Sequence, residues 1–201
     1  MPYTYLALGD SYTIGEAVPL DQNFPSQTCQ LLGNAGFSFE NPKIIAVTGW
    51  TTDELQQGIE AASIHNITYD LVTLLIGVNN QYRGGSLEEY RQQFTSLLQQ
   101  AIAFSKGGHA HVIVLSIPDW GVTPFAADRD RQAIAREIDD FNAVNKAIAA
   151  DFKVHYLDIT PFTREATTNL QLVAEDGLHP SGLDYGRWAR SLATMVEKIL
   201  P

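Results

Sequence analysis

Short apolar runs alternate along this chain with longer stretches in which apolar residues recur at helical spacing. The runs are YLALG (Tyr5 to Gly9), KIIAVTG (Lys43 to Gly49), DLVTLLIG (Asp70 to Gly77), HVIVLSIP (His111 to Pro118) and KVHYLDI (Lys153 to Ile159). Each is rich in Val, Ile and Leu and nearly continuous, as strands buried on both faces are. Between them the spacing predicts amphipathic helices. Ser86 with Glu89 three residues on reads as a capping box ahead of the stripe Leu87, Tyr90, Phe94, Leu97, Leu98 and Ala101, and Thr51 with Glu54 reads as another. Asp130 to Phe152 places Ile134, Ile138, Phe141, Val144 and Ile148 on one face, and the last helix does the same with Tyr185, Trp188, Leu192, Met195 and Ile199. Pro25 marks a helix start and Gly33 and Gly36 its end between the first two strands. Regular alternation of strand and helix implies right-handed crossovers and an α/β fold of three layers, α/β/α, around a five-stranded parallel sheet.

Length and charge narrow the picture. At 201 residues the chain suits one domain, 1–201, with no repeat, linker or low-complexity segment. A formal charge of -10 with no basic run excludes a partner bound through phosphate contacts, so neither nucleic acid nor an anionic membrane surface is expected. No apolar run approaches the length of a membrane span. MPYTYLALGD lacks the basic region, apolar core and cleavage site of a secretory signal, and cytoplasmic residence is the default expectation. The one cysteine, Cys29, lies in an amphipathic stretch without electropositive neighbours and reads as structural.

In open parallel sheets ligands bind beyond the carboxyl ends of the strands. That rule gathers Gly9-Asp10-Ser11-Tyr12-Thr13, Thr48-Gly49-Trp50, Gly77-Val78-Asn79-Asn80 and Pro118-Asp119-Trp120 onto one rim. Before the last helix, Asp176-Gly177-Leu178-His179-Pro180 supplies an acid and a base within four residues. A hydroxyl nucleophile needs a neutral imidazole to take its proton and a carboxylate to hold that imidazole in the right tautomer. Ser11, His179 and Asp176 fill those three roles as catalytic candidates, with Gly177 permitting a tight turn between acid and base. Oxyanion donors would be the Ser11 N–H, the Gly49 N–H and the Asn79 side-chain amide. Each residue alone has a plainer reading. Ser11 can cap a helix, Asp176 and His179 can form a surface turn, the two asparagines suit turns, and Gly49 can end a strand.

Taken together, Ser11 in GDSYT, Gly49 in AVTGWTT, Asn79 in GVNN and His179 in DGLHPS, with Asp176 three residues before the histidine, resemble the SGNH hydrolases, the GDSL esterase and lipase family. The resemblance runs from residue 9 to residue 181. It implies a flavodoxin-like strand order 2-1-3-4-5 and metal-free hydrolysis of acyl esters or thioesters, with no cofactor. Two positions depart from the family pattern: Tyr12 stands where GDSL has Leu, and Asn80 where the third block usually has Asp. The expected partner is a small-molecule ester, of a short acyl group or a carbohydrate O-acyl group. The neighbouring functions are a thioesterase, a lysophospholipase or an acyltransferase. Trp50, Tyr82, Arg83 and Trp120 fall on the same rim and are candidate substrate-binding residues. No cluster of ligand types points to a metal: His109 and His111 lack partners, and His65 and His155 are isolated. A non-catalytic flavodoxin-like binding module is the reading from a different class. It would lack the convergence of an activated serine, and the chain has neither G-x-G-x-x-G nor a P-loop for a nucleotide.

Overall fold

The structure is a computed structural model describing residues 1–201. Five parallel strands, β1 (Tyr5–Gly9), β2 (Lys43–Ala46), β3 (Leu71–Leu75), β4 (Val112–Leu115) and β5 (His155–Leu157), form one sheet in the order β2-β1-β3-β4-β5. This is the expected flavodoxin-like order. The three central strands are buried along their whole length, whereas the edge strands β2 and β5 are only partly covered. That is why YLALG, LVTLL and VIVL are uninterrupted apolar runs, while the edges tolerate Lys43 and His155.

Eight helices complete the fold: α1 (Ser11–Ile14), α2 (Phe24–Asn34), α3 (Thr52–Ala61), α4 (Val78–Tyr82), α5 (Leu87–Ala103), α6 (Arg131–Asp151), α7 (Thr160–Arg164) and α8 (Gly182–Ile199). α2 and α8 pack against each other on one face, and α3, α5 and α6 pack side by side on the other. Right-handed crossovers require this division, because the chain moves outward from β1 to β2 and then back across the sheet. One cluster of 45 buried residues fills the space between the layers.

The helix stripes read from the sequence largely face this core. All five apolar positions of α6 are buried, and so are Tyr90, Phe94, Leu97, Leu98 and Ala101 of α5. Leu87 is exposed instead, because it occupies the first turn of α5, beyond the sheet. In α8 Val196 and Ala189 share the buried stripe with Tyr185, Trp188 and Leu192, while Met195 and Ile199 sit at its margin. The Thr51/Glu54 capping box is complete. At α5 only half of the expected box forms: Ser86 accepts from the Glu89 N–H, and the Glu89 carboxylate accepts from Gln93.

Strand ends are shorter than the apolar runs, for a physical reason. Gly9 pairs with Ala46 on one side and Leu75 on the other, after which β1 turns into α1 and leaves its neighbours nothing to pair with. The last residues of each run, Val47 to Gly49 and Ile76 to Gly77 among them, are therefore rim loops. Because those three strands end in register, the segments carrying Ser11, Gly49 and Asn79 leave the sheet at one level.

Candidate active site

Ser11 is the first residue of α1, and the cap is Asp10, whose Oδ1 accepts the Tyr12 N–H at 3.0 Å. The serine is thus free of capping duty, and its own N–H, at the start of a helix, has no intrahelical acceptor. Asp176 and His179 lie in the turn preceding α8. Asp176 Oδ1 accepts the N–H groups of Leu178 (2.9 Å) and His179 (3.0 Å), which curls the turn back on itself. Gly177 takes φ +71°, the left-handed conformation that this curl demands and that a side chain would disfavour. Asp176 Oδ2 then meets Nδ1 of His179 at 2.5 Å, and His179 Nε2 lies 2.9 Å from Ser11 Oγ.

The tautomer follows from the partners. A carboxylate only accepts, so Nδ1 carries the proton and Nε2 turns its lone pair to the serine hydroxyl. Partial burial opposes the ionisation of Asp176, but the His179 ring and the two backbone N–H groups outweigh it and hold the carboxyl below its ordinary value. The Asp176 carboxyl therefore stays charged beside the imidazole at neutral pH. Tyr12, in the position of the motif leucine, is buried, with its ring centroid 4.9 Å from that of His179.

Asn79 lies in α4, and one hydrogen of its amide goes to the Trp50 carbonyl at 3.0 Å, which leaves the second hydrogen uncommitted. Next to it, Asn80 uses both ends of its amide on Thr52: Oδ1 accepts the Thr52 N–H at 3.1 Å and Nδ2 donates to the Thr52 hydroxyl at 2.7 Å. The loop that the family pattern orders with an aspartate is ordered here by a neutral pair of hydrogen bonds. Gly49 has φ +85°, and its N–H donates to no group of the protein.

Ser11, Asn79 and His179 open onto a cavity of about 140 Å³ whose other walls are Tyr12, Val78, Tyr82, Trp120, Phe125 and Leu178. Trp120 is buried, its indole N–H donating to Gln81 Oε1 at 2.7 Å, and its loop is held by Asp119, which accepts from the Gly121 N–H and pairs with Arg164 at 2.8 Å. Tyr82 and Phe125 are half-exposed and meet the Trp120 ring, with centroids 5.2 and 6.0 Å away.

Of the four rim candidates for substrate binding, Tyr82 and Trp120 are wall residues. Trp50 and Arg83 are not. The Trp50 ring lies over Gly58 of α3, so close that a Cβ there would fall 2.1 Å from it. Arg83 turns away to the Gly49 carbonyl (2.6 Å) and to Glu54 (3.2 Å). Phe125, Val78 and Leu178 are wall residues that the sequence reading did not select. Phe125 lies just past the singled-out Trp120 loop, and Leu178 sits between the candidate acid and base. Cys29 lies remote from this cavity in α2, its thiol pushed up to about 12 by burial. His109 and His111 belong to a single turn before β4, and no three His, Cys, Asp or Glu side chains come together as a metal-binding group.

The chain matches the sequence profile of the GDSL-like lipase/acylhydrolase family over residues 7–186. It belongs to that family. As a member, this GDSL-type hydrolase is a serine-dependent carboxylic ester hydrolase acting on a small-molecule ester. Solved structures share its fold. TesA aligns with TM-score 0.75 at 21% identity over 98% of this chain and 99% of its own. The lipase/acylhydrolase from Enterococcus faecalis aligns with TM-score 0.76 at 18% identity over 100% and 98%. Axe2, an acetylxylan esterase from Geobacillus stearothermophilus, aligns with TM-score 0.73 at 21% identity over 96% and 94%. No curated protein matches the GDSL-type chain in sequence. No helix is long and apolar enough to cross a membrane.

Asp10 gives the family motif a pH signature of its own. It is fully buried with Oδ2 unpartnered, and burial, only partly offset by the Tyr12 N–H, pushes its carboxyl up to about 7 from 3.8. The folded protein then keeps a proton that the unfolded chain releases near 3.8. Stability supplied by neutral Asp10 is complete below that value, declines as pH rises, and is gone above about 7. The full difference is on the order of 4 kcal/mol. Asp184, pushed up to about 6 by burial, acts in the same direction. Urea unfolding at about pH 5 and about pH 8 is expected to show wild-type stability falling across the interval and Asp10→Asn falling distinctly less. An equally steep fall in the variant would clear Asp10 of the effect.

Proposed function

We propose that this enzyme hydrolyses short-chain acyl esters of small alcohols, acetylated sugar hydroxyls included, through a covalent acyl-enzyme on Ser11. As Ser11 Oγ attacks the ester carbonyl, His179 Nε2 takes its proton, and the Asp176 carboxylate holds Nδ1–H and stabilises the imidazolium. The Ser11 and Gly49 N–H groups and the free Asn79 amide hydrogen receive the negative charge that develops on the carbonyl oxygen. Collapse breaks the bond to the alkoxy oxygen, which leaves as the alcohol with the proton from His179. Water then attacks the acyl-serine, gives a proton to His179, and releases the carboxylic acid as Ser11 recovers its hydrogen.

The observation that carries the substrate assignment is the size of the cavity into which the serine opens, about 140 Å³ and walled mainly by aromatic and aliphatic side chains. An apolar cavity of about 150 Å³ in another protein holds a benzene molecule, so an acyl group from acetyl to about butyryl fits. A larger cavity, about 560 Å³ between α2 and β2, shares no residue with it and offers a long acyl chain no continuation. Charge favours an oxygen ester over an acyl-CoA thioester. The net charge is -10, and the rim cation Arg83 is paired with Glu54, which suits a polyanionic leaving group poorly. Half-exposed Tyr82 and Phe125 offer faces on which a sugar ring can lie.

Nitrophenyl esters from acetyl to dodecanoyl, acetylated sugars and acyl-CoA, assayed side by side, test this reading. The expected kcat/KM is highest for acetyl to butyryl and drops for longer chains, with acyl-CoA slowest. Trp120→Ala opens the wall, raising KM for the acetyl ester several-fold and moving the preference to longer chains. A profile climbing about fourfold per methylene up to about twelve carbons, as roughly 0.8 kcal/mol for each buried CH₂ would give, contradicts it and favours a lipase or thioesterase.

A further inference from the structure

We infer that Arg83 is a positioning residue for the oxyanion site, holding the Gly49 loop from α4; the inference rests on the assignment of Ser11, Gly49 and Asn79 above. Gly49 is a loop residue at φ +85° with neither a side chain nor a ladder partner, in a turn closed by the Trp50 N–H on the Val47 carbonyl at 3.2 Å. An N–H that must meet an oxyanion with no reorganisation needs its loop fixed beforehand, and the Gly49 carbonyl, in the next peptide unit, is separated from that N–H only by the two backbone torsions of Gly49. Arg83 closes α4 four residues after Asn79, one turn along the same face. Its Nη2 donates to the Gly49 carbonyl at 2.6 Å, while Nη1 donates to Glu54 Oε2 at 3.2 Å. That same Glu54 oxygen accepts the Thr51 N–H at 2.8 Å, so the planar guanidinium joins the glycine to the first turn of α3.

A reciprocal arrangement results. The loop aims the donor on α4, because the Trp50 carbonyl accepts one Asn79 amide hydrogen; α4 in turn holds the loop, because Arg83 grips the Gly49 carbonyl. Both links cross between the same two segments, one residue apart on the loop and four apart at α4. The Thr51 N–H, and after it the Thr51 hydroxyl and Arg83, hold the Glu54 carboxyl below its ordinary value. Arg83 takes no part in lining the catalytic cavity. Gly49 is likewise absent from that lining, so the split between kcat and KM decides whether Arg83 acts through the Gly49 loop or on the substrate.

The test compares wild type with Arg83→Ala, Arg83→Lys and Glu54→Gln on nitrophenyl acetate, alongside Ser11→Ala and labelling by a fluorophosphonate. Arg83→Ala is expected to lower kcat about tenfold with KM within about twofold, because a donor slightly out of place weakens only the transition state. Affinity for a boronic acid, whose serine adduct carries an oxyanion, is expected to fall by a similar factor. Arg83→Lys should restore part of the loss, added methylguanidine part of it in Arg83→Ala, and Glu54→Gln should give a smaller loss of the same kind. Circular dichroism and Tm identify a folding defect, and should Arg83→Ala not fold, Arg83→Lys and Glu54→Gln are read by the same criteria. A KM rise with kcat unchanged assigns Arg83 to substrate contact and overturns the inference, as do wild-type kinetics in a folded variant. Those outcomes with Ser11→Ala inactive leave the serine assignment standing. An active Ser11→Ala that still takes the fluorophosphonate label overturns both.

Discussion

Ser11→Ala is expected to abolish ester hydrolysis, with a loss in kcat of roughly five to six orders of magnitude in a protein that folds as before. The size follows from the geometry. Ser11 Oγ is the hydroxyl at 2.9 Å from His179 Nε2, and that ring is held at its far side by Asp176 at 2.5 Å. His179→Ala should lose nearly as much, since a hydroxyl without its base is a weak nucleophile. The double variant should be no worse than either single one, because each removes the same concerted step. Additive losses would show instead that the two residues act independently. The fold tolerates the change: Ser11 contributes only its hydroxyl to the buried rim, and Asp10, not Ser11, caps α1. Steady-state kinetics with a fluorophosphonate label provides the measurement. More than a few per cent of wild-type activity in folded Ser11→Ala would place the nucleophile elsewhere.

How much of this was legible in the sequence depended on whether the signal was local. The order of strands and helices could be read from the chain because central strands buried on both faces are uninterrupted apolar runs, and α6 buries every residue of its stripe. Ends were less legible. Val47 to Gly49 continue an apolar run that is a strand only as far as Ala46, because the neighbouring strand has already turned into α1. A partner's end is not written in a strand's own residues. The candidate site divides in the same way. Asp176, Gly177 and His179 form one local turn and share one motif, so their relation shows in the spacing. Trp50 and Arg83 share the rim by sequence position, yet the side chains are drawn off by Gly58, Glu54 and the Gly49 carbonyl, partners remote or unsignalled in sequence. Phe125 went unselected for the opposite reason: its role comes from Tyr82 and Trp120, which it meets only after folding. Asn80 is the instructive case. In sequence it shows only as a departure from the family's Asp, but an amide both donates and accepts, and Thr52 uses both functions.

That pair of adjacent asparagines supplies the other large effect. Asn79→Ala is expected to lower kcat by about a hundred- to a thousandfold with KM nearly unchanged, the loss found when one oxyanion donor is removed. The reason lies in the count of hydrogens. The Asn79 amide spends one on the Trp50 carbonyl, which fixes its plane, and keeps one for an oxygen bound above Ser11. A ground-state carbonyl oxygen gains little from it; a full oxyanion gains much more, so the effect appears in kcat. Asn79→Asp separates donation from shape. The carboxylate matches the amide in size but has no hydrogen to give and sets a negative charge beside the developing one, so it should be at least as damaging as alanine. Asn80→Asp is the control. At position 80 a carboxylate can still accept the Thr52 N–H and take the Thr52 hydroxyl as a donor, at the cost of that hydroxyl's present bond to Gln93. Its loss should stay within a few-fold. If Asn79→Asp retained activity while Asn80→Asp lost it, the donor would have to be reassigned from the first asparagine to the second, for substitutions identical in volume and charge would then have sorted the two positions the other way.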